Sequence, residues 1–163
     1  MRIDLEATRK VVTKALDLGI TLFDTADIYG NKGGSETMLG QVLGERRKDI
    51  VLATKFAGPM VEGKTRRDAS RRYIMTAVEA SLRRLQTDWI DLYQLHFADP
   101  LTPMEETLRA LDDLIHQGKF SNQIAADANH QRRPAILLQQ IETRLQAARL
   151  AEQPLALGTD AAQ

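Results

Sequence analysis

Four ionisable side chains in this sequence have the types and spacing of a proton-transfer site. Asp24 ends the apolar start of the segment LFDTADIYG, residues 22–30, and Tyr29 follows it in the next loop. Lys55 stands near the end of the run IVLATKF, and His96 near the end of WIDLYQLHF. Short aliphatic and β-branched runs of this kind are typical of strands. Because parallel strands of a barrel deliver side chains to one rim, we expect Asp24, Tyr29, Lys55 and His96 to form one site.

These four groups suit general acid catalysis on a carbonyl group. A phenol, with a reference pKa of ~10, donates a proton poorly at neutral pH unless a nearby cation favours the phenolate. Lys55 is the expected cation, and Asp24 is its natural ion-pair partner because an unpaired charge is costly in a partly buried place. Tyr29 would then be the general acid, and His96 would hold the carbonyl oxygen. Acyl transfer is not indicated, since no nucleophile with an adjacent base is evident.

Predicted strands and helices alternate along the first 120 residues. We predict strands over residues 20–24, 50–55 and 90–95, and helices over residues 4–18, from 35 onward, 70–85 and 102–118. The segment TPME, starting at Thr102, predicts a capping box with proline as the first helical residue. Val11, Ala15 and Leu18 recur at helical spacing in the first helix. The alternation predicts an α/β fold, a partial TIM-type (β/α) barrel with parallel strands and right-handed crossovers.

The pattern changes after Lys119. The segment FSNQIAADANHQRRP contains no convincing strand, and Pro134 starts a last amphipathic helix. We therefore predict two parts, a β/α region over residues 1–120 and a divergent C-terminal segment over residues 121–163. Three or four strands in an open arc leave two sheet edges, through which self-association is possible.

Composition excludes several classes of partner and site. The 22 basic residues balance the 22 acidic ones, so no basic surface for nucleic acid or an anionic membrane is expected. The sequence has no cysteine, which excludes disulfides and cysteine-ligated metals and suits a reducing compartment. No apolar run approaches the ~18 residues of a membrane span, and the N-terminus has no apolar signal core. We expect a soluble cytoplasmic protein.

Other polar residues have simpler explanations than a role in the site. Asp27 is expected to be solvent-facing or structural. The four arginines Arg66, Arg67, Arg71 and Arg72 could bind phosphate, but a solvated face is the favoured interpretation.

Several separated motifs together resemble the aldo/keto reductases over about residues 5–120. They are DTADIYG, GGSE, the lysine of LATKF, the histidine of DLYQLHF and the segment ASLRRLQTDWIDLY. The resemblance implies a β/α barrel that uses NADPH to reduce a small-molecule aldehyde or ketone to an alcohol. It implies that Tyr29 is the proton donor, that Lys55 and Asp24 are its activating pair, and that His96 orients the substrate carbonyl.

The resemblance also implies that Asp24, Ser121 and Asn122 contact the coenzyme. In the family a Ser-Asn pair ends a strand and holds the nicotinamide carboxamide, but Ser121 and Asn122 follow Lys119 so closely that we expect this strand to be missing. We also expect the family's first strand and its later, phosphate-binding strands to be absent. Two alternatives to a reductase therefore stay open: a non-catalytic binding or regulatory relative, and a degenerate fragment.

Overall fold

A computed structural model of the protein describes residues 4–60 and 67–124, the last four of them by their backbone only. The elements in these ranges are α1 (Leu5–Asp17), β1 (Leu22–Asp24), α2 (Tyr29–Leu43), a 3-10 helix (Gly44–Asp49), β2 (Val51–Phe56), α3 (Arg71–Leu85), β3 (Ile90–Leu95), α4 (Met104–His116) and β4 (Phe120–Ile124). Helices long and apolar enough to cross a bilayer do not occur in the described ranges.

The four strands form one parallel sheet in the order β1-β2-β3-β4. In its register Asp24 lies opposite Ala53, and Lys55 lies opposite Gln94. Neighbouring strands are consecutive along the chain and are joined through helices, which is the connectivity of successive β/α units in a barrel. The predicted α/β class, with parallel strands alternating with helices, is confirmed.

Local signals explain where the helices begin and end. α1 begins after Asp4, whose carboxylate accepts a hydrogen bond from the Ala7 amide at 2.8 Å, and Gly19 follows its end with a φ of +79°. Ser70 caps α3 by accepting from the Tyr73 amide. α2 is interrupted near its start, since the residues Gly30–Gly33 all have positive φ. The predicted loop before a helix near residue 35 agrees with this interruption.

The main core lies between one face of the sheet and helices α2, α3 and α4. Its buried apolar side chains include Leu39, Leu43, Leu52, Phe56, Ile74, Val78, Leu85, Tyr93, Leu111, Leu114 and Phe120. The Phe56 and Tyr93 rings stack with centroids 4.8 Å apart. On the other face, Leu22 and Val51 are exposed. This second face is the one that carries Lys55 at its end.

The predicted capping box of α4 is wrong. The Thr102 hydroxyl does not cap the helix, because it donates to the Asp99 carboxylate at 2.6 Å, and Pro103 occupies the N-cap position instead. In α1, Val11 is 68% exposed, and its neighbour Val12 is the buried residue. The recurring residues that indicated α1 therefore do not mark its buried face.

The expectation that no strand follows Lys119 is also wrong. β4 spans Phe120–Ile124 and pairs with β3 along its length, with Asn122 opposite Leu92. The division into residues 1–120 and 121–163 stays a prediction, and the last amphipathic helix lies outside the described residues. In the described part of the sheet β1 and β4 are the edges, and self-association through them also stays a prediction.

Candidate active site

The carboxyl ends of the strands bring Asp24, Tyr29, Lys55 and His96 together. Asp24 is the last residue of β1, Lys55 is next to last in β2, and His96 directly follows β3. Tyr29 is the first residue of α2, in the connection that leaves β1. The His96 amide donates to the Phe56 carbonyl, so β3 continues its pairing with β2 up to the site.

Lys55 and Asp24 form an ion pair at this rim. The Lys55 Nζ lies 2.5 Å from Asp24 Oδ2 and also donates to the Thr25 carbonyl at 2.8 Å. The lysine side chain is mostly buried, whereas the aspartate side chain is about half exposed. Two acceptors therefore fix the position of the ammonium, and charge-assisted hydrogen bonds of this kind are among the strong ones.

The Tyr29 ring lies between Lys55 and His96. The Lys55 Nζ is 5.3 Å from the centroid of the Tyr29 ring. The Tyr29 and His96 centroids are 5.5 Å apart, with the rings nearly perpendicular at 87°. Tyr29 is 41% exposed, so a ligand in solution can reach it. The Lys55 ammonium lies over the face of the Tyr29 ring, within the distance of a cation–π contact.

His96 provides a neutral imidazole at the same place. The residue is buried, and burial lowers its pKa below the ordinary 6.5, as does the nearby Lys55 charge, while Asp24 acts in the opposite direction. Among the described residues the His96 Nδ1 has no hydrogen-bond partner. A neutral ring has one N–H donor, so His96 can donate to a carbonyl oxygen at neutral pH.

A cleft of about 730 Å³ opens beside Asp24 and Tyr29. Its other lining residues are Thr8, Val11, Val12, Phe23, Gly30, Asn31, Ser35, Met38 and Leu39. This volume lies in the range of ~300–1,000 Å³ that is usual for small-molecule sites, and an apolar wall with a few polar groups is their usual composition.

Comparison with known proteins identifies the family. The sequence profile of the Aldo/keto reductase family matches residues 1–125. The chain belongs to the aldo/keto reductase family. It is 45% identical over 119 residues to the aldo-keto reductase YhdN of Bacillus subtilis, which covers 72% of this chain and 36% of that protein. It is 38% identical over 120 residues to the L-glyceraldehyde 3-phosphate reductase of Escherichia coli K12, or 71% of this chain and 35% of that one.

A solved structure of the same family matches the fold. The aldo-keto reductase AKR11C1 from Bacillus halodurans, in its holo form, superposes with a TM-score of 0.74 at 39% identity, over 86% of this chain and 46% of that one. The match confirms the predicted relation to a TIM-type barrel. The chain spans about a third of the length of the two curated relatives, at 36% and 35%. Catalytic roles for the four rim residues therefore stay predictions.

The aldo/keto reductase motif DTADIYG also contains a buried acid, Asp27. It is 1% exposed, so of the two predicted alternatives, solvent-facing or structural, the solvent-facing one is wrong. Burial and the nearby Glu36 charge raise its pKa to about 7, against smaller opposing effects of Arg84 and of hydrogen bonds from the Ile28 amide and the Tyr73 hydroxyl. Neither carboxylate oxygen has a hydrogen bond of good geometry in the described part of the chain.

A second buried acid, Glu36, was not predicted from the sequence. Glu36 is fully buried and accepts from Arg84 Nε and from Thr54 Oγ1, each at 2.6 Å. Nearby, Thr25 and Ser35 share a hydrogen bond of 2.8 Å, which ties the end of β1 to α2. Glu36 belongs to the GGSE motif, so the family resemblance was the signal that could have found it.

The backbone of Ser121 and Asn122 lies before the level of the rim along the sheet. Their backbone lies at the start of β4, where Asn122 pairs with Leu92, two residues before Gln94. Gln94 is the residue level with Lys55. At ~3.3 Å per residue, this register sets Asn122 roughly 7 Å below the level of Lys55 along the strand. Contact between the Ser-Asn pair and a coenzyme stays a prediction, and the register weighs against it.

Proposed function

We propose that this protein is an NADP-dependent oxidoreductase that reduces an aldehyde or ketone to an alcohol, with Tyr29 as the proton donor. The observation that carries the proposal is the position of the Tyr29 ring, 5.3 Å from the Lys55 ammonium and 5.5 Å from the His96 ring. One exposed space is thereby bordered by a proton donor, Tyr29, by a cation that stabilises its phenolate, Lys55, and by a neutral hydrogen-bond donor, His96.

The chemistry follows from these groups. A neutral His96 donates a hydrogen bond to the carbonyl oxygen and orients it toward Tyr29. A nicotinamide held at the rim would supply the hydride to the carbonyl carbon. Tyr29 gives its proton to the oxygen as negative charge develops there, and Lys55, fixed by Asp24, stabilises the phenolate that remains. Solvent can return the proton, because Tyr29 is partly exposed.

The described residues fit a nicotinamide coenzyme in part. Asp24 Oδ2 pairs with Lys55 while the side chain stays about half exposed, so an acceptor oxygen is available to a hydroxyl or amide at the rim. For Ser121 and Asn122 only the backbone position near the start of β4 is described, so their contact with the coenzyme stays a prediction. The printed names of the relatives support the proposal, since one is a reductase of a sugar phosphate and one structure is a holo form.

The proposed setting is the cytoplasm. The absence of cysteine from the sequence suits a reducing compartment in which reduced coenzyme is available. The proposed substrate is a small carbonyl compound, which the family membership supports. Asp24 and Tyr29 line the cleft of about 730 Å³, whereas Lys55 and His96 are not among its lining residues.

Two measurements test the proposal. Titration with NADPH, followed by nicotinamide fluorescence, tests coenzyme binding, and NADPH oxidation with a panel of aldehydes tests turnover. Tyr29→Phe should lower kcat by ~10²–10⁴ without loss of coenzyme binding, because only the proton donor is removed. Tyr93→Phe is the matched control, since that buried hydroxyl has no hydrogen-bond partner within the described ranges and its side chain lies on the core face of the sheet, opposite to the face that carries Lys55. Equal rates for the two variants would reject the role of Tyr29.

A further inference from the structure

A guanidinium lies one aromatic ring away from the candidate active-site histidine. The Arg67 Cζ sits 4.7 Å from the centroid of the Phe97 ring. The Phe97 ring in turn stacks on His96, with centroids 4.2 Å apart and planes at 21°. Arginine commonly packs on aromatic faces in this way, and the contact restricts an otherwise exposed side chain.

The charges around this part of the rim include the carboxylates of Asp68, next to Arg67 in the chain, and of Asp99, which accepts a hydrogen bond from the Ala69 amide. Lys55 is neutralised by Asp24, and His96 is held neutral by burial and by the Lys55 charge. Arg67 has no carboxylate within ion-pair distance among residues 4–60 and 67–124, unlike Arg71, which pairs with Asp113. The Arg67 guanidinium therefore presents its hydrogen-bond donors to solvent beside the place where a substrate carbonyl would bind.

We propose that Arg67 binds an anionic group of the substrate, so that the protein prefers carbonyl compounds bearing a carboxylate or phosphate. The inference rests on the proposed reductase function. A planar guanidinium binds both groups in a bidentate manner. With the carbonyl held by His96 and Tyr29, the anionic end must lie near the Phe97 ring, which contacts both His96 and Arg67. Compact anionic aldehydes of about the size of a benzaldehyde meet this condition.

The anion could have a second source, namely a phosphate of the coenzyme. Geometry favours the substrate, because Arg67 reaches the site through the ring stacked on His96, the residue assigned to the substrate carbonyl. The two sources give different signatures. A substrate contact changes the ratio of kcat/KM between anionic and neutral aldehydes, whereas a coenzyme contact changes the Kd of NADPH and leaves that ratio unchanged.

The test compares 4-carboxybenzaldehyde with its neutral methyl ester. We expect the protein to favour the carboxylate by about tenfold in kcat/KM, and Arg67→Gln to reduce this ratio to about one through KM. Arg67→Lys should keep part of the preference, and 1 M salt should weaken it. Arg83→Gln is the matched control, because Arg83 is an exposed arginine in the last turn of α3, at the opposite end of that helix from the rim.

Each outcome decides the proposal. It is wrong if Arg67→Gln leaves the ratio unchanged, if both substrates lose activity equally, or if only the Kd of NADPH rises. If neither aldehyde is turned over, the proposed reductase function fails, and binding of the unreactive 4-(hydroxymethyl)benzoate and its methyl ester is then compared by NMR titration. A carboxylate preference of about tenfold that disappears in Arg67→Gln still supports the anion site, and equal affinities reject it.

Discussion

The Lys55 ammonium lies 2.5 Å from an Asp24 oxygen and 5.3 Å from the centroid of the Tyr29 ring. This position predicts that Lys55→Met lowers kcat by ~10²–10⁴ with little change in KM, because stabilisation of the phenolate is lost. Asp24→Asn should have a smaller effect, since the Thr25 carbonyl still holds the ammonium. Steady-state NADPH oxidation measures both. Lys48→Met, at an exposed lysine of the 3-10 helix, is the control, and a rate for Lys55→Met equal to that of this control would contradict the assignment.

His96 should titrate below its ordinary pKa of 6.5, because burial and the Lys55 charge both disfavour the imidazolium. The Lys55 and Asp24 charges shift the His96 pKa in opposite directions, so their effects can be measured separately. Lys55→Met should raise the pKa of His96, and Asp24→Asn should lower it further. An NMR titration of the His96 ring proton in the wild type and in both variants measures each shift. Shifts of the same sign in both variants would exclude this electrostatic account.

The same lowered pKa has a consequence for stability. A group whose pKa is lower in the folded than in the unfolded protein binds fewer protons when folded. Above pH 6.5 the imidazole is neutral in both states, and its full contribution to the free energy of unfolding is present. As the pH falls from 6.5 through the lower pKa of the folded protein, the unfolded chain takes up the proton first and this contribution is lost. His96→Asn should remove this part of the acid dependence, which chemical denaturation at several pH values would show.

The convergence of the candidate-site side chains at one rim of the sheet was predictable because the sequence patterns that indicate it are local. Asp24, Lys55 and His96 each end a short apolar run, and parallel strands necessarily bring such ends to one side of a sheet. The buried pair of Glu36 and Arg84 was not predictable, since its partners are 48 residues apart and are joined only by the packing of α2 on α3.

The errors in the fold have two different causes. β4 contains Ser121, Asn122 and Gln123, which favour strands weakly, yet its pairing with β3, a different segment of the chain, decides the conformation. Thr102 has the local pattern of a cap, but the carboxylate of Asp99, three residues earlier in the same loop, competes for its hydroxyl.

Gly40 of α2 packs directly against the backbone at the C-terminal end of α3. A Cβ at this position would lie 2.4 Å from the Arg84 carbonyl oxygen and 2.7 Å from the Leu85 carbonyl carbon. These are backbone atoms, so Gly40→Ala should destabilise the protein by about 1–3 kcal/mol. Gly34→Ala is the matched control, since nothing lies within 4 Å of its Cβ, and it should be neutral or stabilising by about 0.5–1 kcal/mol. Urea unfolding of both variants measures the difference, and equal stabilities would contradict the close packing.

Glu36 and Arg84 should be coupled in stability. Glu36 is fully buried, so Arg84→Met should cost about 3–5 kcal/mol by leaving its charge without a partner. Adding Glu36→Gln to that variant should cost less than the sum of the single changes, because the second change removes the unpaired charge. A double-mutant cycle from urea unfolding measures the coupling, and strict additivity would show that the pair contributes nothing.

Asp27 should make the protein less stable as the pH rises. Its pKa is raised from 3.8 to about 7, so the folded protein keeps a proton that the unfolded chain has lost. Below pH 3.8 the carboxyl is protonated in both states, and its full contribution to the free energy of unfolding is present. As the pH rises from 3.8 through about 7, the free energy of unfolding falls by about 2–4 kcal/mol.

Asp27→Asn tests this cost because an amide has about the same size and cannot ionise. The variant should be about 2–4 kcal/mol more stable than the wild type at pH 8, while the two should differ little at pH 4, where the wild-type carboxyl is already neutral. In the Glu36→Gln variant Asp27 should ionise at a lower pH than in the wild type. The Glu36 charge is one cause of the raised Asp27 pKa, and the opposing Arg84 charge remains in the variant. Urea unfolding between pH 4 and pH 8 measures both effects. A parallel pH dependence in the wild type and Asp27→Asn would mean that the carboxyl ionises at its ordinary pKa despite its burial.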